Sequence, residues 1–456
     1  MSLMTTAHNH LEEHHLPRDI LFLSHPQYPA TPPTEACSDE EHCNSIEELS
    51  PLSPNPIVAI IGVGYVGEHL VSTFSRAYRV IGYDVSPARV EHLRNLFEST
   101  PLVEMTRHDH HLASATHFLV SVPTLLRADS TIDTSYLGEA IRTIAKWARQ
   151  GSTIIIESSV AVGMTRSLLA QLATDRGFLV GMSPERVDPG RTDPTPHAIP
   201  KIVSGLDDVA PGSLDAIAQL YSAVFDTVVR VSRPEVAEMM KLYENCQRMM
   251  CIAFANEMAD ACVPHAIDPY EVCRAAATKP FGYMPFDPSL GVGGHCIPVN
   301  PYYLLSNSEF PLLRAATEKM QARPGAVAQR VIKSLATGRL SNPNSSWPNS
   351  SRPKPRVLVV GMGFKRGQAH LVNSPGFRLA ETLEQSQEVD VVWADPLVKQ
   401  EAIPLIERLD ETRDWNPASL QQSFDYIVVA LKQHGLDFGV LDGIEKNVVK
   451  VDMWCA

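Results

Sequence analysis

Short apolar runs alternate with longer amphipathic segments from residue 56 onward. The run IVAII is followed by a predicted helix from Val66 to about Ala77 and by a second run, RVIGYD, that ends at Asp84. The alternation continues with HFLVSVP, a helix from about Ser135 to Arg149, STIIIES and FLVGMSPE. Strands that alternate with helices at this spacing predict a doubly wound parallel sheet.

The pattern becomes helical after the strand TVVRV. A helix is predicted from about Pro234 to Val263, with Ser232 as its N-cap, and it is longer than an average globular helix. Helices of this length often form the centre of a dimer, so we expect a homodimer. A further helix is predicted from about Leu312 to Leu340.

A second, smaller α/β sheet is predicted near the end of the chain. Its strands are RVLVVGMGFK, VDVVWADP, FDYIVVAL and VVKVDM, with a helix from about Ser374 to Leu383. The segment before it, SNPNSSWPNSSRPKP, has the composition of a linker. The predicted fold is therefore α/β, with two Rossmann-like domains joined by a central helical domain.

The first strand-helix turn, GVGYVG, has the glycine spacing of a dinucleotide fingerprint. Gly62 makes the tight turn, Gly64 allows close approach of a pyrophosphate, and Gly67 allows close helix-strand packing. Asp84 stands where a carboxylate accepts bonds from the adenosine ribose and repels a 2′-phosphate, which favours NAD over NADP. The GMG of the second sheet lacks the third glycine, so a different nucleotide or no ligand is expected there. The predicted cofactor contacts are Gly62, Gly64, Tyr65, Val66, Gly67, Asp84, Val122, Pro123, Thr124 and Ser158.

Composition narrows the class of protein. The 456 residues include 39 Lys and Arg against 52 Asp and Glu, a net charge of −13 that argues against nucleic-acid or acidic-membrane partners. The eight cysteines form no CxxC pair, and no apolar run is long enough to span a membrane, so we expect a cytoplasmic protein. The histidine-rich runs HNHLEEHH and HDHH lack ligand spacing, and no metal site is predicted.

Candidate chemistry concentrates in the segment from Thr278 to Leu305. Glycines such as Gly291 allow a close approach to Cys296, which lies in a turn-rich loop where a substrate can reach its thiol. The alternative is a buried, inert cysteine. On the long helix, Lys241 and Asn245 form an i, i+4 pair on one face, and a solvated surface pair is the alternative for them.

Together these motifs resemble the UDP-glucose/GDP-mannose dehydrogenase family from about Pro56 to the C-terminus. The matching stretches are GVGYVG, VSVPT, SPERVDPGR, KLYENCQR, ANEMA, TKPFGYMPFDPSLGVGGHCIPVNPYYL and, less closely, GMGFK with NSPG. In chain order we expect a disordered extension, an NAD-binding domain, a central dimerisation and catalytic-cysteine domain, a linker, and a sugar-nucleotide domain; the resemblance implies the three domains, and composition predicts the extension and the linker. Their predicted bounds are 1–55, 56–232, 233–340, 341–355 and 356–456.

The resemblance also implies a reaction, the double oxidation of a sugar C6 alcohol to a carboxylate with two NAD reduced. Cys296 would hold the C6 aldehyde as a thiohemiacetal and then a thioester, and Glu185 would activate water. Lys241 and Asn245 would stabilise oxyanion charge, and Thr124 would position water or substrate. The implied substrate contacts are Glu185, Arg186, Lys241, Asn245, Gly293, Gly294 and Lys365.

The loop GGHCIPV before PYYL looks more like family members that act on UDP-N-acetylhexosamines, so UDP-GlcNAc or UDP-ManNAc is the expected substrate. UDP-glucose is the second candidate and GDP-mannose the third. The chain departs from the family pattern at Asn300, where the family has a catalytic Asp, and at His370, Val372 and Asn373, where an Asp-x-Arg-Glu pattern is usual. A catalytically impaired homologue that binds nucleotide sugars is therefore the alternative.

Overall fold

The computed structural model describes residues 55–188, 193–341, 354–445 and 447–455, without the side chains of 338–341. Apart from residue 55, the predicted disordered extension 1–55 lies outside these residues, as does most of the predicted linker 341–355. In the described part of the chain, no helix is long and apolar enough to cross a membrane.

The first sheet has eight strands in the order β10-β9-β8-β7-β4-β1-β2-β3, and a separate hairpin pairs β5 with β6. The strands of this part of the chain are β1 Ile57–Ile61, β2 Arg79–Tyr83, β3 Val103–Thr106, β4 His117–Val120, β5 Leu125–Leu126, β6 Ile132–Asp133, β7 Thr153–Ile156, β8 Leu179–Met182, β9 Lys201–Gly205 and β10 Val228–Arg230. The helices are α1 Tyr65–Phe74, α2 Pro87–Leu96, α3 Ser135–Trp147, α4 Met164–Arg176 and α5 Ser213–Ser222.

Both faces of this sheet are covered. Along β1, Ala59 and Ile61 enter one apolar core, whereas Val58 and Ile60 enter the core on the opposite face. Because side chains alternate along a strand, a continuous apolar run such as IVAII is what a strand buried on both faces requires. The doubly wound α/β fold expected from the sequence is confirmed.

One strand departs from the all-parallel prediction. Strands β8 and β9 are antiparallel, with Gly181 opposite Gly205, while the other neighbouring pairs of the sheet are parallel. A parallel neighbour needs a crossover, usually a helix. The described residues between these two strands contain no α-helix, only the 3₁₀ turn Pro196–Ala198, so the chain returns without crossing the sheet.

The central region is helical, with α6 Pro234–Cys262, α7 Pro269–Ala277, α8 Asn300–Leu305 and α9 Pro311–Ser341. The predicted long helix is confirmed, but the prediction of Ser232 as its cap is wrong. Arg233 takes the N-cap position in an extended conformation, and no described side chain caps the helix. Pro234 begins the helix instead, since its fixed φ and missing N–H suit the first helical position.

The second sheet has five parallel strands in the order β13-β12-β11-β14-β15. They are β11 Arg356–Val360, β12 Asp390–Ala394, β13 Glu407–Arg408, β14 Tyr426–Val429 and β15 Lys450–Met453, and the helices are α10 Pro375–Ser386, α11 Glu411–Asp414 and α12 Pro417–Ser423. Its first turn lacks a third glycine at the fingerprint spacing, but Gly376 of α10 packs against that turn in the same way as Gly67 packs in the first sheet. A Cβ on Gly376 of α10 would lie 2.3 Å from the Gly361 carbonyl oxygen, as one on Gly67 would lie 2.1 Å from that of Gly62.

A buried carboxylate joins the central helix to the first domain. Glu238 of α6 is fully buried and accepts hydrogen bonds from the backbone N–H groups of Gly163, at 2.5 Å, and Thr165, at 2.8 Å, where α4 begins. The first N–H groups of a helix have no partner within that helix. Glu238 therefore completes α4 while fixing where α6 packs.

Replacing Glu238 with Ala should destabilise the protein by about 1–3 kcal/mol, because it leaves buried N–H groups without an acceptor. The measurement is the midpoint of thermal unfolding followed by circular dichroism. Glu139→Ala is the matched control, since Glu139 is exposed on α3. An equal midpoint for the two variants would contradict the capping role.

Candidate active site

The turn between β1 and α1 has the geometry of a dinucleotide site. Gly62 has a φ of +85°, and its N–H donates to the Tyr83 carbonyl at 2.9 Å. Any side chain on Gly67 would collide with the backbone of Gly62. In contrast, no described atom lies within 4 Å of a Cβ placed on Gly64, and no described side chain caps α1 there. The helix N-terminus is thus open to an anion, and these residues fit a pyrophosphate.

Asp84 organises this turn. Its carboxylate accepts hydrogen bonds from the N–H of Val63, at 3.0 Å, and that of Ser86, at 2.9 Å. Arg89, which the sequence analysis missed, donates to the carbonyls of Val63, at 2.7 Å, and Gly64, at 3.1 Å. Each carboxylate oxygen of Asp84 can accept more than one bond, so its predicted contact with a ribose remains compatible with this geometry.

The predicted cofactor residue Ser158 supports the backbone beside the turn. Its buried hydroxyl donates to the Val122 carbonyl at 2.8 Å. Val122 in turn lies against Gly62, where an added Cβ would lie 3.0 Å from its side chain. The contacts of Tyr65, Val66, Val122, Pro123, Thr124 and Ser158 with NAD remain predictions.

The candidate nucleophile is accessible. Cys296 is exposed, whereas Cys246 and Cys262 are buried, so the alternative of a buried, inert thiol is wrong for Cys296. Its carbonyl accepts the N–H of Asn300 at 2.9 Å, which places the cysteine directly before α8. The thiol therefore lies at the surface of a loop whose backbone is anchored to a helix.

This loop is also fastened to the second domain. The N–H of Gly294 donates to the Val372 carbonyl at 2.9 Å, and the Asn373 side-chain amide donates to the Gly294 carbonyl, also at 2.9 Å. A Cβ on Gly293 would lie 2.7 Å from the Phe364 Cβ, and one on Gly294 would lie 2.8 Å from the Phe364 ring. The glycines are thus needed for packing against the second domain, and their predicted contact with a sugar stays a prediction.

Lys241 and Asn245 are not a solvated surface pair. Asn245 is fully buried and Lys241 is 8% exposed. The Asn245 amide donates to the side-chain oxygen of Asn300 and accepts a hydrogen bond from Arg248. Helix α6 is therefore joined to the first residue of α8, four residues after Cys296.

Lys241 lies near two other candidates. Burial lowers the pKa of Lys241, and the neighbouring acidic groups Cys296 and Glu185 partly oppose that shift. Thr124 lies beside the buried Tyr303 of α8, where burial raises the pKa of the Tyr303 hydroxyl to about 12 and Thr124 opposes the rise. Residues from the first domain, α6 and α8 thus converge on one region.

Glu185 is held by three donors. One carboxylate oxygen accepts the N–H groups of Arg186, at 2.7 Å, and Val187, at 2.8 Å, while the other accepts from Lys201 at 3.0 Å. Burial alone would raise the pKa of Glu185, but Lys201 and these hydrogen bonds outweigh it and lower the pKa below its usual value. The carboxylate is therefore ionised and fixed in orientation.

The sequence analysis missed the residues behind Glu185. Lys201 also donates to Glu157 at 2.7 Å, and the Tyr221 hydroxyl donates to Glu157 as well. Glu157 directly follows the buried strand TIII, and polar residues at that end of a parallel strand face the ligand cleft, a signal that could have identified it. Lys201 opens a strand, where nothing in the sequence marks it as buried.

The two remaining predicted substrate residues carry ion pairs. Arg186 donates to Glu244 of α6 at 2.6 Å and to the Pro200 carbonyl at 2.9 Å. Lys365, in the first turn of the second sheet, donates to Asp188 at 2.7 Å. Both therefore connect elements around the site.

Among the described residues, no group of His, Cys, Asp and Glu has the geometry to hold a metal ion.

Comparison with known proteins agrees with this geometry. Residues 57–225 match the NAD binding domain of the UDP-glucose/GDP-mannose dehydrogenase family, and residues 235–319 match its central domain. The chain is 31% identical over 373 residues to UDP-N-acetyl-D-glucosamine 6-dehydrogenase of Pseudomonas aeruginosa, covering 75% of this chain and 83% of that protein. It is 30% identical over 367 residues to UDP-N-acetyl-D-mannosamine dehydrogenase of Pyrococcus horikoshii, covering 75% and 84%.

Solved structures show the same fold. A UDP-D-ManNAc dehydrogenase structure from Pyrococcus horikoshii matches with a TM-score of 0.73 at 26% identity, covering 87% of this chain and 99% of that one. A UDP-glucose dehydrogenase structure from Pyrobaculum islandicum matches with a TM-score of 0.73 at 20% identity, covering 90% and 96%. The chain belongs to the UDP-glucose/GDP-mannose dehydrogenase family and is an NAD-dependent oxidoreductase.

Proposed function

We propose that the protein oxidises the C6 alcohol of a UDP-N-acetylhexosamine, UDP-GlcNAc or UDP-ManNAc, to the carboxylate. The observation that carries this proposal is the convergence of an exposed thiol, Cys296, with a buried amine, Lys241, and a fixed carboxylate, Glu185. Relatives at about 30% identity that bear the names of UDP-N-acetylhexosamine dehydrogenases support the substrate class. UDP-glucose remains the second candidate.

The cofactor would be held at the turn of Gly62 and Gly64 and by Asp84, where it supplies the hydride acceptor for both oxidations. Lys241 is suited to accept the proton of the C6 hydroxyl. Burial lowers the pKa of Lys241 and so favours the neutral amine, which can accept a proton. Once protonated, Lys241 stabilises negative charge on the C6 oxygen, with Asn245 beside it.

Cys296 then retains the aldehyde. Its thiolate adds to C6 while the aldehyde oxygen takes the proton from Lys241, which gives a thiohemiacetal; return of that proton and loss of the second hydride from C6 leave a thioester. In the last step Glu185 takes a proton from water, the water oxygen bonds to C6, and the bond between C6 and sulfur breaks to release the thiolate. Oxidation on the enzyme prevents a free aldehyde from escaping or hydrating.

The domain roles expected from the sequence form part of the proposal. Residues 56–232 would bind NAD, residues 233–340 would supply the catalytic cysteine, and residues 356–456 would bind the sugar nucleotide. We also propose a cytoplasmic location, which the six free cysteines among the described residues support.

We propose a homodimer that pairs through α6. This helix carries exposed aromatic side chains, Tyr243 at 67% and Phe254 at 66%, which lie on one face because eleven residues span about three turns. Met258 and Val236 are exposed on the same side. In a two-fold symmetric dimer, this exposed apolar face of α6 would pack against the same face of α6 in the second copy.

Purified protein with NAD should convert UDP-GlcNAc or UDP-ManNAc and form two NADH per uronate. UDP-glucose and GDP-mannose belong in the same panel, with absorbance at 340 nm and product chromatography as readouts. Cys296→Ser should abolish uronate formation while leaving NAD affinity nearly unchanged, and Cys251→Ser is the control. Absence of NADH with every sugar nucleotide would refute the activity.

Replacing Asn300 with Asp tests the impaired homologue. If the natural enzyme is active, turnover of Asn300→Asp at neutral pH should stay within about tenfold of wild type, because Asp can also accept the Asn245 hydrogen bond. An added carboxylate near Lys241 favours the charged amine and raises its pKa, so the limb of the pH profile that reports Lys241 should move to higher pH.

The control is Asn300→Ala, which loses the acceptor and should be slower. A gain in turnover of roughly 10²–10⁴ in Asn300→Asp would instead identify the natural protein as catalytically impaired.

Charges on the exposed face of α6 should separate the dimer. The double variant Tyr243→Glu/Phe254→Glu should elute as a monomer in size exclusion with light scattering, because each carboxylate would be buried against its symmetry mate. Leu405→Glu is the control, since Leu405 is 78% exposed in the second domain. A monomeric wild-type protein at micromolar concentration would exclude this interface.

A further inference from the structure

A charged cluster lies directly behind Glu185. The side chain of Lys201 is 2% exposed and that of Glu157 is fully buried, and the two are joined at 2.7 Å. Tyr221, also fully buried, donates its hydroxyl to the other oxygen of Glu157. Glu185, in front of this cluster, reaches the surface with 11% of its side chain exposed. We refer to Glu157, Lys201 and Tyr221 as the buried cluster.

The cluster is built around a single cation. Lys201 lies between Glu157 and Glu185, at 2.7 Å from one carboxylate and 3.0 Å from the other. It also faces the rings of Tyr221, at 5.8 Å, and Phe225, at 5.5 Å. Placing charges in a protein interior is costly unless they are paired and hydrogen-bonded. A fold that needed only packing at this place would be served by apolar residues.

We propose that Lys201 is a positioning residue for the hydrolytic step: it keeps Glu185 ionised and fixed toward the Cys296 side, while Glu157 and Tyr221 hold Lys201 in place. This inference rests on the proposed function, in which Glu185 accepts a proton from the attacking water. The proton then leaves from Glu185 to solvent, and the water oxygen replaces sulfur on C6. With 2% of its side chain exposed, Lys201 is not placed to touch substrate or cofactor.

The order of protonation in the cluster supports this role. Burial raises the pKa of Glu157 to about 7 despite the nearby Lys201, whereas the pKa of Glu185 is lowered. When the pH falls, Glu157 therefore takes up a proton first, and Lys201 then pairs with Glu185 alone.

Other charged groups face Glu185 from neighbouring elements. Lys241 of α6 is close enough for Glu185 to raise its pKa, and Arg186 adjoins Glu185 while paired with Glu244. These three groups are unchanged in variants of the buried cluster. A change in the titration of Glu185 in such variants is therefore assigned to Lys201.

The test compares Lys201→Met with Glu157→Gln in single-turnover experiments with NAD and the sugar nucleotide that wild type oxidises. In Lys201→Met, Glu185 loses the cation beside it, so the pKa of Glu185 rises. The acidic limb of the pH profile of the hydrolysis rate should therefore move to higher pH by about one to three units. NADH formation should stay within a few-fold of wild type, while hydrolysis at neutral pH slows by at least about tenfold.

The covalent intermediate gives a second readout. Acid-quenched Lys201→Met should carry a sugar-nucleotide thioester on Cys296 in intact-protein mass spectra, and Cys296→Ser is the blank. Glu157→Gln keeps an acceptor for Lys201, so its acidic limb should stay where it is in wild type. If the cluster is only structural, both variants should lose the same share of activity, with no shift in the pH profile of hydrolysis and no accumulated thioester. That result would overturn the proposal.

Removal of one buried charge can prevent folding, so a double variant is included. Lys201→Met/Glu157→Gln eliminates the leftover carboxylate and should recover thermal stability relative to Lys201→Met, yet retain the displaced limb. Recovery of both stability and hydrolysis in the double variant would also contradict the proposal. Failure of the proposed function is distinguishable, because wild type itself would then form no NADH.

Discussion

The buried polar stripe of α6 is the constraint on which the architecture depends. Residues three or four positions apart on a helix share a face, and on α6 that face carries polar groups, most of which bond to α4, α8 or α9. Its buried members are Glu238, Lys241, Asn245 and Asn256, and the partly exposed Asp260 extends it. Asp260, for example, pairs with Arg323 at 2.8 Å and with Arg330 at 2.9 Å, both on α9. Since each buried group requires its partner, the stripe fixes the rotation and height of α6 relative to the site.

Asn300 changes the charge balance that Lys241 experiences. Helix α8 has the sequence NPYYLL and carries no acidic side chain, so it supplies no charge to offset the burial of Lys241. Cys296, Glu185 and Glu244 partly oppose the lowering of the Lys241 pKa, and the first two change during the proposed reaction when sulfur is acylated or the carboxylate is protonated. The protonation of Lys241 is thus coupled to the chemical state of the site.

Sequence reasoning recovered the features that rest on local patterns. Apolar runs located the strands, and the glycine spacing with Asp84 located the dinucleotide turn, because both are dictated by contacts within one β-α-β unit. It missed features that depend on contacts between segments distant in the sequence. Gly376 meets Gly361 only because a long loop returns to that turn, and the burial of Lys201 follows from Glu157 and Tyr221 being brought to it by two other elements. The direction of β9 likewise depends on a connection without a helix.

The departure at Asn373 shows why a missing family residue need not mean a missing function. An ionised Glu there, as is usual in the family, could only accept hydrogen bonds, whereas the Asn373 amide donates to the Gly294 carbonyl. The neighbouring bond from Gly294 N–H uses the backbone of Val372 and so does not depend on its side chain. Two residues that weaken the resemblance therefore hold the loop of Cys296 against the second domain. Asn in place of Glu at position 373 thus replaces an acidic group with a hydrogen bond that holds the loop next to the nucleophile. Position 294 must remain glycine, because its φ is +88° and the Phe364 ring fills the space beside it.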